Sequence, residues 1–520
     1  MKIVIIGGGS AGWMSAALLI KEFPKYNITL IESPDHPTVG VGESTTNGLR
    51  QYCNYLGIDE AQFLKFTDGA YKLSIKFTDF YKKDSGGFLY PFGIPDVKGT
   101  RFGLNDWLIK KYAYPDTPVT DFAECFSPQT IMCKTNKFFK NPNYSIMDGY
   151  DSDLGLAYQF DATKFAEWLK SEYSKPRGVN HILDTVIDVA VNGEDITSIT
   201  LANGELITAD LFVDCTGFTS LLLGKSLNEK FISYSDMLPN NKSWACQVPY
   251  IDKEKELETF TNCTAIENGW CWNTPLWSRL GTGYVYSNKF VSDEDALEEF
   301  KNYLCSNKMV IPRTREDIDQ LKFRNIDMRV GIHERTWVGN CVAIGLSAGF
   351  IEPLESNGLF SVHQFLFELA RALGRGAPTN WEKHAYNYAT FKQFNEFAEF
   401  VAIHYSLTKR TDTPYWKALT EKDYFSTVKR SPSTFDAIID NRAFTHVSPM
   451  AGGYSWIQAG MEYFPLDAIS ARLGEMEKPA DYKIFYAKEI DYLNRRKQYW
   501  ESIIDKQPSL YEYLRDYVYQ

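Results

Sequence analysis

The chain opens with an apolar run, a group of small residues and a helical pattern, which together predict a strand, a tight turn and a helix. A β-branched run, Lys2 to Ile6, leads into Gly7-Gly8-Gly9-Ser10-Ala11-Gly12, and a helical pattern continues to Phe23. A second apolar run, Ile28 to Ile31, ends at Glu32, twenty residues after Gly12. This spacing is the full dinucleotide fingerprint: Gly7 for the turn, Gly9 for approach to a pyrophosphate, Gly12 for helix packing and Glu32 for a ribose hydroxyl. We therefore predict a dinucleotide site that uses these residues, with Ser10 and Ala11 opening the helix.

Much later in the chain, the apolar run Val342 to Ile344 predicts a buried strand that ends in a turn of small residues beginning at Gly345. After Pro353-Leu354-Glu355-Ser356-Asn357-Gly358, apolar residues recur with helical spacing up to Leu373, and Gly374 is a stop signal. A helix that starts near Ser356 would leave backbone N–H groups free beside Glu355, which favours an anion site. A plain strand-turn-helix joint with a capping serine fits the same pattern equally well.

Residues 72–80, KLSIKFTDF, alternate cleanly and predict one strand. Lys72 and Lys76 fall on the same face of that strand, so periodicity cannot choose between them, and a solvated strand lysine is the plain alternative. The aromatic stretch FLYPF, residues 88–92, and the irregular region up to Asn136 are typical of a loop over a pocket.

Further strands are predicted at Ile187 to Val191 and Ile196 to Leu201, with Asn203-Gly204 as a hairpin turn after them. Leu211 to Val213 runs into the small-residue turn Asp214-Cys215-Thr216-Gly217. The predicted fold class is α/β: an interleaved FAD-binding Rossmann-like fold assembled from residues 1–50, about 155–225 and about 325–375. The predicted module, 1–375, carries substrate-side insertions at 51–155 and 226–325, and residues 376–520 form a mainly helical subdomain.

Trp270 and Trp272 lie two residues apart in GWCWNTP and share a strand face. Ordinary stacking of two tryptophans in a core explains the pair without any function.

Composition narrows the class of protein. The 520 residues are 44% apolar with a net charge of −11 and no basic cluster, which argues against a nucleic-acid surface. No apolar run approaches the roughly 18 residues of a membrane helix. The nine cysteines have no CxxC spacing, so we expect reduced thiols in a cytoplasmic protein, and no metal site is predicted.

Taken together, the chain resembles a flavin-dependent halogenase of the tryptophan halogenase family over nearly its whole length. The motifs that carry the resemblance are GGGSAGW (7–13), VGVGEST (39–45), KLSIKF (72–77), FDATKFAEWLK (160–170), DLFVDCTGF (210–218), GWCWNTPLWSRLGTGYVYS (269–287) and GFIEPLESNG (349–358). The acidic, Asn- and Tyr-rich composition is also similar to that of a viral member. FAD is favoured over a nicotinamide because the fingerprint opens the chain and further flavoprotein motifs follow it.

The resemblance implies a role for each matched residue. Lys76 would receive oxidised halide, with Glu355 beside it, and the amides of Asn357 and Gly358 would bind chloride, bromide or iodide. Trp270 and Trp272 would keep the substrate off the flavin. Further residues matched to the cofactor are Gly42, Glu43, Ser44, Thr45, Ile344 and Gly345, and those matched to the substrate are Tyr90, Phe92 and Trp456. A separate reductase would supply FADH2, O2 would be the oxidant, and the possibility of a homo-oligomer stays open.

Three positions depart from the family pattern. Thr274 stands where isoleucine is usual, Asn357 where threonine is usual, and Tyr90 where tryptophan-specific members carry histidine. The last departure argues against free tryptophan and for another indole- or phenol-like aromatic. The alternatives to a halogenase are an FAD-dependent aromatic monooxygenase, which needs the substrate against the flavin, and a non-catalytic FAD-binding redox protein.

Overall fold

The computed structural model describes residues 1–35, 42–93, 96, 107, 110–111, 114–424, 451–463 and 479–520. The side chains of residues 451–452, 479–486 and 489 are not described. The predicted flavin motif at Val39, Gly40 and Val41 therefore lies outside the described residues, whereas Gly42 to Thr45 lie within them.

A six-stranded sheet, ordered β20-β21-β12-β1-β2-β8, forms around the N-terminal strand. Its strands come from distant parts of the chain: β1 (Lys2–Ile6), β2 (Asn27–Glu32), β8 (Asn180–Leu183), β12 (Leu211–Asp214), β20 (Trp337–Val338) and β21 (Cys341–Ala343). All neighbours pair in parallel except β20 with β21. Strands covered on both faces need continuous apolar runs, and Ile3, Val4 and Ile5 are fully buried. The predicted α/β class with a Rossmann-like sheet is confirmed.

A seven-stranded sheet, ordered β18-β14-β17-β16-β15-β5-β6, forms a second layer. Its strands are β5 (Ser74–Thr78), β6 (Gly87–Pro91), β14 (Lys242–Val248), β15 (Phe260–Ala265), β16 (Gly269–Pro275), β17 (Leu280–Tyr286) and β18 (Arg324–Asp327). Strands β5 and β15 pair in parallel, and the other neighbours pair antiparallel.

Three small sheets connect these layers, in the orders β3-β7-β4, β13-β19-β22 and β11-β10-β9. Their strands are β3 (Glu43–Ser44), β4 (Ala70–Lys72), β7 (Ala157–Phe160), β9 (Val186–Asn192), β10 (Asp195–Leu201), β11 (Leu206–Ile207), β13 (Phe231–Ser233), β19 (Gly331–His333) and β22 (Gly349–Phe350). The Asn203-Gly204 turn joins β10 to β11, as predicted.

The single strand predicted over residues 72–80 is two strands in two different sheets. The chain changes sheets at Leu73, whose N–H donates to the carbonyl oxygen of Thr259 (2.7 Å) and so already follows the pairing of β5 with β15 rather than that of β4 with β7. Lys72 ends β4, and Lys76 lies within β5. The two lysines therefore do not share a strand face, because the alternation is interrupted between them.

The helices surround the sheets and make up most of the described C-terminal part. They are α1 (Ser10–Glu22), α2 (Asn47–Leu56), α3 (Glu60–Phe66), α4 (Asp121–Phe126), α5 (Pro128–Thr135), α6 (Ala162–Trp168), α7 (Lys253–Glu256), α8 (Asp293–Leu304), α9 (Arg315–Asp319), α10 (Gly358–Leu373), α11 (Asn380–Ser406), α12 (Pro414–Thr420), α13 (Ala451–Gly460), α14 (Pro479–Ile504) and α15 (Leu510–Tyr517). Among the described residues, none of these helices is long and apolar enough to cross a membrane.

Candidate active site

The turn between β22 and α10 places a carboxylate, a hydroxyl and a helix N-terminus side by side. Pro353 to Glu355 form one 3-10 turn, and Ser356 then adopts the left-handed conformation (φ 57°) that reverses the chain. Asn357 is the N-cap of α10, and its side chain does not cap the helix. The first turn of α10 carries no acidic residue, so its backbone N–H groups remain able to bind an anion.

Lys72, not Lys76, reaches this turn. Lys72 is fully buried, and its Nζ donates to Ser356 Oγ (2.7 Å) and to the carbonyl oxygen of Thr45 (3.1 Å). Lys76 is half-buried, with Nζ 5.7 Å from the ring centroid of Phe260 on β15. The contacts of the described residues therefore put Lys72, rather than the predicted Lys76, at this turn.

The surroundings of Lys72 favour its neutral form. Burial lowers the pKa of Lys72 from 10.5 to about 7, and the nearby Cys263, Glu355 and Glu43 oppose that shift only in part. A lysine with such a pKa exists as both ammonium and amine near neutral pH.

Glu355 is buried, and the imidazole of His404 on α11 lies against its carboxyl group. His404 Nε2 lies 2.8 Å from Glu355 Oε1, and both side chains are excluded from solvent. Burial raises the pKa of Glu355, whereas His404 and then Lys72 act to lower it. Two nitrogen bases thus act on Glu355, and a carboxyl group with a raised pKa suits proton transfer.

The neighbouring residue of α11, Tyr405, contacts the other glutamate of the same turn. Tyr405 Oη donates to Glu352 Oε2 (2.7 Å), and that oxygen also accepts from Asn240 Nδ2 (2.8 Å) and Trp270 Nε1 (3.0 Å). Glu352 is completely buried, and burial raises its pKa. These bonds fix the indole of Trp270 to the turn that carries Glu355.

Trp270 and Trp272 lie on the same face of β16, as predicted. Their ring centroids are 6.2 Å apart at an interplanar angle of 59°. Trp272 is opposite Gly283 on β17, where a Cβ atom would lie 2.1 Å from the indole ring. The strand opposite therefore leaves room for the second indole to lie flat across it.

The glycine-rich turn has the form needed for a pyrophosphate. Gly7 has a positive φ of 112°, and a Cβ there would lie 2.2 Å from the carbonyl oxygen of Cys215. A Cβ on Gly12 would lie 1.9 Å from the carbonyl oxygen of Gly7. Helix α1 has Gly9 as its N-cap, with no capping side chain and no acidic residue in its first turn. Its N-terminal N–H groups are thus available to an anionic ligand.

Comparisons with known proteins decide the family. A family model described as tryptophan halogenase matches residues 2–470. The chain belongs to the tryptophan halogenase family. It is 36% identical to tryptophan 6-halogenase SttH of Streptomyces toxytricini, over 80% of this chain and 80% of that protein. It is 32% identical to tryptophan 7-halogenase RebH of Lentzea aerocolonigenes, over 99% and 98% of the two chains.

Solved structures of similar proteins agree with this assignment. The apo structure of VirX1 has a TM-score of 0.88 at 35% identity, covering 100% of this chain and 99% of that one. The crystal structure of SttH has a TM-score of 0.82 at 32% identity, covering 99% of each chain. The protein is therefore a flavin-dependent halogenase that acts on an aromatic substrate. The predicted family, fold class and enzyme class are confirmed.

The remaining residues predicted for the cofactor of this halogenase lie around α1 and β3. Gly345 has a positive φ of 74°, and a Cβ there would lie 2.8 Å from the Cβ of Ala11. Ile344 is buried, so only its backbone can face a ligand. Glu32 is half-buried, and its carboxylate contacts His181 Nε2 (2.9 Å). The close packing at Gly7, Gly12 and Gly345 and the uncapped α1 fit a dinucleotide.

Hydroxyl groups of the predicted cofactor residues have protein partners. Ser10 Oγ donates to the carbonyl oxygen of Ala162 (3.2 Å), and Thr45 Oγ1 donates to that of Tyr158 (2.9 Å). Gly42 has a positive φ of 112° and turns the chain into β3. Thr45 contributes to the site through its carbonyl oxygen, which Lys72 contacts.

Glu43 lies against the predicted halide position. A Cβ on Gly358 would be 2.7 Å from Glu43 Oε1, so this carboxyl group borders the N-terminus of α10. Burial raises the pKa of Glu43 to about 7, and Lys72 opposes the shift. Near neutral pH, Glu43 therefore exists in both its neutral and its ionised form beside the predicted anion site.

Aromatic side chains also lie close to Lys72. Phe92 has its ring centroid 4.9 Å from Lys72 Nζ and 6.5 Å from the ring of Tyr90. Burial raises the pKa of Tyr90, and Glu355 adds to the shift. Trp456 is buried against Phe122 (5.1 Å between centroids), and its Nε1 donates to the carbonyl oxygen of Gly93 (3.4 Å). Phe92 is thus near Lys72 and Tyr90 near Glu355, whereas Trp456 supports the segment that carries both aromatic residues.

Sequence reasoning missed the contacts of His404 and Tyr405 with this turn, and it did not choose between Lys72 and Lys76. His404 lies in a helical run of apolar residues, where a lone histidine is usually part of the core, so spacing alone carries no functional signal. For Lys72 the signal was present but ambiguous, since KLSIKF contains two lysines of equal periodicity.

Proposed function

We propose that this halogenase uses FAD, supplied in reduced form by a separate flavin reductase, together with O2 and a halide ion. The substrate would be a small electron-rich aromatic of the indole or phenol type, and Lys72 and Glu355 would be the acting groups. One observation carries the proposal: buried Lys72 donates to Ser356, which lies between Glu355 and the N-terminus of α10. An amine, a carboxyl group and an anion site therefore meet within a single turn.

Bound reduced flavin would supply, with O2, the two-electron oxidation of halide to a hypohalous acid. The residues that would hold FAD are Gly7, Gly9, Ser10, Ala11, Gly12, Glu32, Gly42, Glu43, Ser44, Thr45, Ile344 and Gly345. The backbone amides of Asn357 and Gly358 would hold the halide, because the helix N-terminus stabilises an anion without a counter-charge.

Lys72 would take the role first expected of Lys76. A neutral hypohalous acid is small and reacts with many groups, so it must be held where the substrate alone can reach it. As ammonium, Lys72 would donate a hydrogen bond to it. As amine, its nitrogen would take the halogen to form a haloamine, while the halogen–oxygen bond breaks and the hydroxide leaves as water with one amine proton. A pKa of about 7 supports either form near neutral pH. Holding the electrophile in one place also fixes which aromatic carbon reacts.

Glu355 would polarise the electrophile and accept the proton that leaves the aromatic carbon. A carboxylate in a buried site gains more than one in water from taking up a proton, and the raised pKa of Glu355 supports that role. His404, 2.8 Å away, would keep the carboxylate available by lowering its pKa.

Trp270 and Trp272 would form the partition between the flavin and the substrate. The bond from Trp270 Nε1 to Glu352 supports this role, because it ties the partition to the turn that carries Glu355. Such a partition disfavours direct oxygen transfer to the substrate, which is the chemistry of the monooxygenase alternative.

Tyr90 and Phe92 would form the aromatic wall against which the substrate stacks, with Trp456 behind them. Tyr90 presents a phenol where tryptophan-specific members carry histidine. We therefore propose that the substrate is an aromatic other than free tryptophan.

The test is product mass spectrometry with FAD, NADH, a generic flavin reductase and each halide in turn, across a panel of indoles and phenols. A halogen isotope pattern in the product is the expected result. A gain of one oxygen atom would instead establish the monooxygenase, and flavin oxidation without any product from the whole panel would contradict the proposed substrate class.

A further inference from the structure

A line of side-chain hydroxyls leads away from Lys72 through Ser356. Ser356 Oγ lies 3.1 Å from Ser44 Oγ, and Ser44 Oγ lies 2.6 Å from Thr261 Oγ1. Thr261 Oγ1 lies 2.8 Å from Gln159 Oε1. The line connects β3, β7, β15 and the turn before α10.

The end of this line fixes the direction of every hydrogen bond in it. An amide oxygen only accepts, so Thr261 donates its one hydroxyl hydrogen to Gln159. Thr261 must then accept from Ser44, and Ser44, having given its hydrogen away, must accept from Ser356. Ser356 has no hydrogen left for Lys72 and can only accept from it.

This direction determines what remains free on Lys72. Nζ donates to Thr45 and Ser356, which are its hydrogen-bond acceptors among the described residues. An ammonium then keeps a third N–H, and an amine keeps its lone pair. Charged or titratable groups that face Lys72 are Glu355 from the turn, Glu43 from β3 and Cys263 from β15.

We propose that Ser44 is a positioning residue: by taking the hydrogen of Ser356, it prevents Ser356 from capping Lys72 and keeps one position of Nζ free for the oxidised halogen. The inference rests on the proposed function, in which the oxidised halogen passes to Lys72. Ser44 itself contacts neither the lysine nor the halogen and acts through Ser356.

Loss of the Ser44 hydroxyl has a defined consequence. In Ser44→Ala, the hydroxyl of Ser356 has no acceptor at that position and can turn to donate to the lone pair of Lys72. The neutral amine gains a hydrogen bond that the ammonium cannot use, so the pKa of Lys72 falls below that of the wild type. The amine is then capped, and transfer of the halogen slows.

The first measurement is halogenated product per reduced flavin oxidised. Ser44→Ala should lower kcat about tenfold with little change in KM for the substrate, measured at saturating FAD because Ser44 is also among the residues proposed to hold the cofactor. Ser44→Thr, which keeps a hydroxyl, should recover most of the loss. Thr261→Val removes the next hydroxyl of the line and should lower kcat as Ser44→Ala does. Ser74→Ala is the matched control, since Ser74 is a buried serine on β5 whose hydroxyl donates to the carbonyl oxygen of Ile75.

The second measurement needs neither flavin nor halide. In protein labelled with 15N-lysine, the resonance that disappears in Lys72→Met is followed against pH. Its titration midpoint should move to lower pH in Ser44→Ala and stay near the wild-type value in Ser44→Thr and Ser74→Ala. An unshifted midpoint together with wild-type kcat in Ser44→Ala would overturn the inference. Wild-type protein that makes no halogenated product would overturn the proposed function, while the titration would still decide the role of Ser44.

Discussion

Two lysines four residues apart have very different surroundings in this halogenase. Lys72 ends β4 of a three-stranded sheet, is fully buried and donates to a serine next to Glu355. Lys76 belongs to β5 of the seven-stranded sheet, is half-buried and lies over Phe260. The difference arises at Leu73, where the backbone leaves one sheet for another. Proximity in sequence, even with perfect alternation, is therefore a poor guide to which side chain reaches a site.

The largest expected effect separates the two lysines by activity. Lys72→Ala should lower halogenation by about a thousandfold or more, because it removes the amine that reaches Ser356 beside Glu355, while flavin oxidation continues. Lys76→Ala should stay within about twofold of the wild type. The measurement is product formation alongside oxygen consumption. Normal, regioselective halogenation by Lys72→Ala would refute the assignment, and an inactive Lys76→Ala would restore the original one.

A second test compares the two lysines by their effect on the pH dependence of the free energy of unfolding. Lys72 has a folded-state pKa of about 7 against 10.5 for an ordinary lysine, so between these values the unfolded chain binds a proton that the folded chain does not. Stability therefore rises with pH in that window, by at most about 1.4 kcal/mol per pH unit. Urea unfolding at several pH values between 7 and 9 should show this rise in the wild type and its loss in Lys72→Met.

Lys76→Met is the control for removing one lysine side chain, and it should keep the wild-type slope. Equal slopes for wild type and Lys72→Met would show that burial does not suppress the charge of Lys72.

The carboxyl groups near each lysine provide a third comparison. Glu355 is paired with His404, whereas Glu258, near Lys76, has a pKa raised to about 7 by burial and lowered in part by Lys76. His404→Ala should reduce kcat about tenfold. It should also move the rise of activity to higher pH, because His404 lowers the pKa of Glu355 and its loss lets that pKa increase. Glu258→Gln should leave the pH–rate profile unchanged, and a matching shift there would contradict the pairing.

The smallest expected effect concerns the halide. Glu43 borders Gly358 and has a pKa of about 7, so it is neutral at lower pH and negative at higher pH. Halide affinity should therefore fall several-fold as the pH rises from 6 to 8, because a carboxylate repels the anion at this distance. The measurement is the KM for halide at several pH values between 6 and 8. Glu43→Gln should flatten the dependence, and an unchanged dependence in that variant would assign it to another group.

Some of this site could be predicted from sequence because its signals are local. The glycine turn, the spacing to Glu32 and the turn around Glu355 depend on neighbours within about 25 residues, and the structure has the expected geometry at Gly7, Gly12 and Asn357. The choice between Lys72 and Lys76 could not be made in this way, since it depends on a bond from Leu73 to Thr259, far along the chain. His404 is nearer to Glu355 in sequence than Thr259 is to Leu73, but it lies on another element, α11, in an apolar stretch that gives no functional signal.

The line of hydroxyls behind Lys72 also constrains when the site can form during synthesis. Ser44 contacts Thr261 and Ser356, which are 217 and 312 residues further along the chain, and Lys72 is separated from Ser356 by 284 residues. Contacts of such long range form late, after the more local elements, because their loop closure must be compensated by structure already present. A nascent chain shorter than 356 residues cannot contain the lysine–serine contact at all. Ribosome-bound fragments of this protein could therefore fold their first strands and helices, yet they would have no site at which an electrophile could be held.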